Sequence, residues 1–177
     1  MPTAARAPYD VFEPDQFEYD DSETARGFWR RYEHANGKRY AEYISKAELF
    51  GVRLVHLTRG HSPETGKRVT ARGVVAIGQR AVGVVAVGQL AGGVVAVGQL
   101  GVGLLLGLGQ LSTGVVALGQ GAVGLAVGAG QLASGYVAIG QLAVGNYALA
   151  QLGAGAHVWD TYTASEVAQQ FFRALVP

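Results

Sequence analysis

The sequence contains no cysteine, which excludes disulfides, thiolate metal ligands and a cysteine nucleophile. It also has few charges, because Asp, Glu, Lys and Arg make up 15% of its 177 residues, against about 25% in typical domains. From Ala81 to Trp159 there is no Lys, Arg, Asp or Glu at all. The first residues lack the apolar segment of a secretory signal, so we expect a cytoplasmic protein.

Several motifs of catalytic and ligand-binding proteins are also missing. No Gly-x-Gly-x-x-Gly lies between a strand and a helix, and no Gly-Lys-[Ser/Thr] occurs. His56 and His61 have no third ligand nearby, so local hydrogen bonds at His56 are favoured over a zinc site. His157 with Asp160 forms either an acid–base pair or, as we favour, hydrogen bonds that close the end of the repeats. We therefore predict no catalytic residue, no cofactor and no metal, in a protein that is not an enzyme.

The few charges are segregated along the chain. Residues 1–23 hold seven acids and one base, whereas residues 24–80 hold twelve bases and four acids. Bases interleaved with aromatic residues such as Trp29 and Tyr43 are a pattern that contacts nucleic acid or anionic lipid. The alternative, which we favour, is a solvated surface neutralised by the acidic segment of the same or a neighbouring chain. We expect no nucleic acid partner.

The body of the chain is a tandem repeat rich in glycine, which contributes 27 residues to the whole sequence. A helix is excluded, because a ten-residue step rotates the pattern by about 280° and leaves no apolar stripe. We do not expect membrane spanning, because every window of about 20 residues contains Gln and several Gly. Clear copies, such as GVVAVGQLAG, begin at Gly73, Gly83, Gly93, Gly103, Gly114, Gly124, Gly135 and Gly145, and a decaying copy begins at Gly155.

Strands fit this pattern, because each aliphatic-Ala-aliphatic triplet alternates with the period of two that a strand requires. Glycines at the half-repeat boundaries then form corners. We predict a mainly β fold, a thin β-solenoid of about 8–9 ten-residue coils. In this interpretation Val85, Val87 and Leu90 point inward, whereas Ala86 and Ala91 lie on broad outer faces. The two eleven-residue copies predict bulges in the first strand.

The two edges of the predicted coil carry different residues. One edge is glutamine, whose stacked amides are predicted to form a hydrogen-bonded ladder. The other is aliphatic, and an exposed apolar edge of this length indicates an interface. The glutamine ladder comprises Gln79, Gln89, Gln99, Gln110, Gln120, Gln131, Gln141 and Gln151. The self-association edge comprises Val74, Val84, Val94, Leu104, Val115, Leu125 and Tyr136.

The ends of the chain differ from the repeats. A helix over 22–35 is predicted from the apolar face that includes Phe28 and Tyr32, with Asn36-Gly37 as its stop. Residues 38–50 are left open between a short helix and a strand. A final helix over 164–174 is predicted to cap the last coil with Val167, Phe171 and Leu175 on one side. The domains are an acidic, flexible tail (1–21), a helical lead-in (22–50), the β-solenoid (51–160) and a C-terminal capping helix (161–177).

Three segments resemble a known group of proteins: FGVRLVHL at 50–57, PETGK at 63–67 and ARGVVAIG at 71–78. Together with the repeat, they make residues 49–158 similar to the bacterial short-repeat β-solenoid proteins, which have a decapeptide body. Arg53 departs from the proline usual in that group, and Gln replaces the Gly or Asp that usually follows the second glycine of the repeat. The resemblance implies a thin solenoid and little about function.

These features predict a non-catalytic structural or assembly module that self-associates through the aliphatic edge or the Ala-rich faces. The expected assembly is a homo-oligomer, with a dimer favoured, or a complex with another protein. The alternative is a monomeric protein-binding module that uses the charged N-terminal region. Binding to a membrane surface or to nucleic acid is the weakest of these hypotheses.

Overall fold

The computed structural model describes residues 17–35 and 37–175, which form a mainly β fold with one helix near the C-terminal end. The prediction of a mainly β fold is therefore confirmed. The strands are β1 (Asp20–Glu23), β2 (Gly27–Glu33), β3 (Arg39–Ser45), β4 (Glu48–Leu49), β5 (Val52–Arg53), β6 (Val55–Arg59), β7 (Thr70–Ala154) and β8 (His157–Trp159), and the helix is α1 (Glu166–Ala174).

One sheet connects the lead-in to the repeats. Its strand order is β1-β2-β3-β6-β7-β8, while β4 and β5 form a separate hairpin. β1, β2, β3 and β6 pair antiparallel, whereas β6 pairs parallel with β7, and β7 parallel with β8. The antiparallel lead-in therefore continues the sheet of the repeat region beyond the first repeat, in the direction in which the strands are hydrogen-bonded to each other.

The predicted helix over 22–35 is wrong, because this segment contributes β1 and β2. Tyr32 faces Tyr40 across a hairpin, and Gly37, with φ of 75°, lies in the turn between β2 and β3. Asn-Gly between two strand-forming runs is a strong hairpin signal, and aromatic residues favour strands. The open segment 38–50 contains β3, whose Tyr43 packs on Trp29 with 4.9 Å between ring centroids.

The predicted acidic tail ends in a strand. Residues 1–16 of that tail lie outside the described residues. β1 pairs with β2 so that Asp20 lies opposite Arg31 and Asp21 opposite Arg30. Opposite charges on facing strand positions stabilise a sheet by roughly 0.2–1 kcal/mol per pair, which accounts for the pairing of so polar a strand.

Residues one repeat apart are neighbours in space along β7. At the end of the repeats Tyr147 pairs with His157, and Leu149 with Trp159, both in parallel register. Further back, a Cβ added to Gly83 would overlap the carbonyl oxygen of Gly73. The same relation joins glycines one repeat apart at Gly88, Gly93, Gly98, Gly109, Gly119, Gly130, Gly140, Gly145 and Gly155.

The interior of β7 is lined by alanine, so the prediction that alanines lie on outer faces is wrong. Ala76 and Ala86 are fully buried, and they pack with Ala81 and Ala91 in one cluster. Two strands contributed by so short a repeat approach too closely for larger side chains, and methyl groups fill the space between them. Val85, Val87 and Leu90 were predicted inside but remain half-exposed or exposed; the buried alanines are Ala71, Ala76, Ala81, Ala86, Ala91, Ala96, Ala117, Ala122, Ala133, Ala138, Ala143 and Ala148.

The eleven-residue copies place glycine where the other copies have interior alanine. Gly107 and Gly128 are buried. A Cβ on Gly103 would lie 2.8 Å from the nitrogen of Gly107, and one on Gly124 would lie 2.8 Å from the nitrogen of Gly128. The extra residue therefore makes a tight local loop at both places, as the predicted bulges require.

The predicted C-terminal helix is confirmed as α1, but its buried side differs from the prediction. Ala168 and Phe172 are buried, whereas Val167 and Leu175 are exposed. The helix packs against Val127, Val137 and Tyr147, which belong to three successive repeats. α1 thus covers the side of the last repeats and reaches beyond the final one.

Candidate assembly surface

The buried alanines determine which side chains face outward. Residues on either side of an interior alanine point away from it, because side chains alternate along a strand. Because Ala86 and Ala91 pack against each other, their flanking residues lie on opposite sides of the repeat region. One side, here the helix-bearing face, includes Val75, Val85, Val95, Val116, Val127, Val137 and Tyr147. The other side, here the leucine face, comprises Val82, Leu90, Leu100, Val102, Leu111, Val123, Leu132, Leu142, Val144 and Leu152.

The leucine face is exposed for most of its length. The exposed fraction is 46% at Leu90, 57% at Leu132 and 54% at Leu152. A Cβ added to Gly121 would lie 2.9 Å from Cδ1 of Leu111, so these two positions of successive repeats are in contact. The side chains therefore form an extended apolar surface, interrupted at Gly121, that is larger than the scattered apolar residues normal on a protein surface.

The predicted self-association edge is also on the surface. Leu104, Leu125 and Tyr136 are exposed, as is Val84, whereas Val74, Val94 and Val115 are half-buried. At its first end this edge meets the β4–β5 hairpin, and Leu49 and Val52 line a groove of about 630 Å³ with residues of the first repeats. The edge is thus accessible, although three of its seven side chains are half-buried.

Phe50 at the tip of the β4–β5 hairpin was missed by sequence reasoning. Phe50 and Gly51 have φ of 52° and 76°, the geometry of a two-residue type I′ turn. A phenylalanine in this conformation is strained by roughly 1–3 kcal/mol, and its side chain is 98% exposed. The x-Gly pair between two short apolar segments was the available signal for this turn.

The glutamines of the predicted ladder form the other edge of the repeats. All are exposed except Gln79, which is half-buried. Gln89 accepts a hydrogen bond from Arg68 at 2.9 Å. Within the described part of the chain no hydrogen bond joins two of these glutamines, so the ladder stays a prediction.

Among the described residues, four basic side chains of the lead-in form ion pairs with acids of the same chain. Arg30 binds Asp21 through two hydrogen bonds of 3.1 and 3.0 Å, and Lys46 pairs with Glu23. The interpretation in which the acidic segment neutralises the basic one is therefore confirmed for β1, β2 and the residue after β3. These pairs are exposed, so each contributes at most about 1 kcal/mol.

His56 joins the lead-in to the first repeat. Its Nδ1 accepts the backbone N–H of Arg72 at 2.9 Å, and its Nε2 donates to Glu42 at 3.0 Å. Tyr40, which is buried, donates its hydroxyl to the other oxygen of Glu42 at 2.7 Å. The prediction of local hydrogen bonds at His56 is confirmed. The hydrogen bond from His56, with that from Tyr40, holds the pKa of Glu42 below its ordinary value although burial opposes the shift.

Glu42→Gln is expected to destabilise the protein by about 1–2 kcal/mol at pH 7, because the amide replaces a carboxylate that accepts two hydrogen bonds. A lowered pKa in the folded state means that ionised Glu42 stabilises the fold above the unfolded pKa of about 4.3. That contribution is lost as the pH falls through the folded pKa. Urea unfolding from pH 7 to pH 3 should therefore show wild type and variant converging below about pH 4.

Glu48→Gln is the matched control, since Glu48 lies exposed on the short hairpin. It should leave the unfolding midpoint within about 0.5 kcal/mol of wild type at every pH. A constant difference between Glu42→Gln and wild type down to pH 3 would contradict the assigned role of the carboxylate.

The remaining candidate residues form structural contacts. Asp160 accepts backbone N–H groups from Gly153, Tyr162 and Thr163, which lower its pKa. These bonds close the turn after β8, as favoured from the sequence. Within residues 17–35 and 37–175 no group of three His, Asp or Glu side chains is placed to hold a metal ion. No helix in this part of the chain is long and apolar enough to span a membrane.

The chain was compared with family models, with curated proteins and with solved structures. No family model, curated protein or solved structure matches it.

Proposed function

We propose that this chain is a non-catalytic structural module that associates with further copies of itself through its exposed aliphatic surface. The observation that carries the proposal is that the small apolar side chains are buried while the large ones are exposed. Alanines fill the interior, while valines and leucines remain in contact with water. Apolar surface that a fold does not bury itself favours association, because its transfer from water is the main driving force.

The proposed architecture is a thin β-solenoid of about 8–9 coils. Its support is the contact between glycines one repeat apart and the parallel pairing of Tyr147 with His157. With about 4.8 Å between coils, the repeats form a rod roughly 40 Å long. The resemblance to bacterial short-repeat β-solenoid proteins and a cytoplasmic location are part of this proposal.

Self-association through this surface requires the burial of a whole row of apolar side chains. Completing the burial of a half-exposed Val or Leu contributes roughly 1 kcal/mol, half the value of full burial. Association itself costs about 4–15 kcal/mol in lost freedom of motion. A few apolar residues therefore do not suffice, but a row that extends over most of the repeats does. Alanine-rich outer faces are no longer part of the proposal, because the alanines are buried.

A monomeric protein-binding module that uses the N-terminal region is the second candidate. Phe50 favours it, because a fully exposed aromatic side chain on a strained turn is typical of residues that contact a partner. The groove of about 490 Å³ lined by Trp29, Arg30, Glu42 and Arg53 is the adjoining charged surface.

Light scattering after size-exclusion chromatography, over a range of protein concentrations, tests the proposal. The wild type is expected to have the mass of a dimer or a small closed oligomer. That mass should not fall between low salt and 1 M NaCl, because the repeats carry no charge from Ala81 to Trp159. A monomer at every concentration would overturn the proposal. An oligomer that dissociates in salt would favour association through the charged lead-in instead.

A further inference from the structure

Charge on the leucine face occurs at one end only. Arg80 lies one repeat before Leu90 in one row of the face, Arg72 lies one repeat before Val82 in the other, and both arginines are exposed. Neither takes part in an ion pair with any described residue. After Arg80 the rows continue through Leu90, Leu142 and Leu152 without another charge. The face is therefore polarised along the repeats, with a basic end and a long neutral remainder.

The opposite end of the face carries an exposed aromatic residue. Tyr162 is 85% exposed and lines the same surface groove as Leu142 and Leu152. An arginine placed over a tyrosine ring is attracted by the ring's electron density and contributes about 0.5–1 kcal/mol at an exposed site. The two ends of the leucine face are thus complementary to each other.

We propose that two copies of this chain pair antiparallel through their leucine faces, about a two-fold axis perpendicular to the direction of the repeats. This pairing rests on the self-association proposed above. It places Arg80 of each copy beside Leu152 and Tyr162 of the other. A parallel pair would instead set Arg72 and Arg80 of one copy against the same residues of the other, and that repulsion is avoided when the copies run in opposite directions.

The size of the face is sufficient for a stable pair. Eight repeats at about 4.8 Å span roughly 38 Å, and a five-residue half-repeat at about 3.3 Å per residue is roughly 16 Å wide. Each copy therefore contributes about 600 Å², or about 1,200 Å² in total, which is the lower limit of standard specific interfaces. α1 covers part of the helix-bearing face. Among the described residues, no helix or strand covers the leucine face between Leu90 and Leu152.

Placing Arg80 beside Leu152 and Tyr162 sets the position of the two-fold axis along the repeats, and so sets which repeats meet. Counting inward from the two ends, Arg80 faces Leu152, and Leu90 of one copy faces Leu142 of the other. Leu90 and Leu142 are similarly exposed, at 46% and 42%. Leu90→Glu or Leu142→Arg alone would bury an unpaired charge against leucine, and each is expected to raise the dimer dissociation constant about a hundredfold or more.

The decisive experiment compares Leu90→Glu, Leu142→Arg and the double variant carrying both, by light scattering over a concentration series. In the double variant the Glu of each copy faces the Arg of the other, which gives two Glu–Arg pairs per dimer, so the dimer mass is expected to return. In a parallel pair the same double variant would place Glu against Glu and Arg against Arg. Leu118→Glu, at 40% exposure on the helix-bearing face beside the buried Ala117, is the matched control and should keep the wild-type mass. Circular dichroism confirms that each variant is folded.

Each outcome has a separate meaning. A monomeric wild type overturns the proposed function, and the pairing with it. If the wild type is an oligomer and Leu90→Glu has the same mass, the leucine face is not the interface, and the proposed self-association stands. Single variants that dissociate without recovery in the double variant overturn the antiparallel arrangement.

Discussion

Ala96→Leu is expected to destabilise the repeat region by about 3 kcal/mol or more. Ala96 is fully buried and packs with the other interior alanines of the first repeats. Leucine adds three carbon atoms to an interior that holds methyl groups alone. Overpacking of a rigid core costs about 1–3 kcal/mol and sometimes more. Here the interior is bounded by backbone atoms, which move aside less readily than side chains do. Urea unfolding followed by circular dichroism measures the effect.

Val95→Leu is the matched control for this substitution. Val95 is the neighbour of Ala96 and points to the helix-bearing face, where it is half-exposed. The added methylene group extends into solvent, so the free energy of unfolding should change by less than about 0.5 kcal/mol. The reverse ranking of the two variants would show that the aliphatic side chains, and not the alanines, are inside.

Gly130→Ala should have an effect of similar size, about 3 kcal/mol. An added Cβ would lie 2.9 Å from the carbonyl carbon of Gly119 and 3.1 Å from the carbonyl oxygen of Gln120, and it would overlap the oxygen of Gly119. All three atoms are backbone, so relief requires that neighbouring repeats separate and weaken their hydrogen bonds. The loss of thermal and urea stability is the measurement.

Gly92→Ala, in an earlier repeat, provides the opposite expectation. No atom lies within 4 Å of a Cβ added there. The substitution removes backbone freedom from the unfolded chain without a clash, and so is expected to stabilise the protein by about 0.4–1 kcal/mol. Equal effects at Gly92 and Gly130 would contradict the close approach of successive repeats at Gly130.

The repeat predicted strands correctly, but not which residues are inside. An aliphatic-Ala-aliphatic triplet has the same alternation whichever side is buried, and hydrophobicity alone favours the larger side chains for the interior. The width of the interior decides the matter. A ten-residue repeat brings the strands of Ala86 and Ala91 within methyl contact, so Val85 and Leu90 are excluded. The distance between these two strands depends on how the backbone folds, and it cannot be read from the order of residue types.

The lead-in was misassigned for a different reason. Asn36-Gly37 fits both the end of a helix and the turn of a hairpin. The choice depended on the partner strand, whose Tyr43 packs on Trp29, and Tyr43 lies beyond the predicted helix. In α1 the prediction of a helix was sound, but Ala168 is buried where Val167 was expected, because the helix lies across three repeats and its small residue allows the close approach.

Because glycines one repeat apart are in contact, the number of repeats sets the length of the repeat region. In the proposed β-solenoid each repeat adds the same increment of about 4.8 Å, and its interior needs nothing from distant parts of the chain beyond the two adjoining repeats. An in-frame duplication or loss of one repeat would therefore change the length of the body in one step, while the charged lead-in and α1 keep their own contacts.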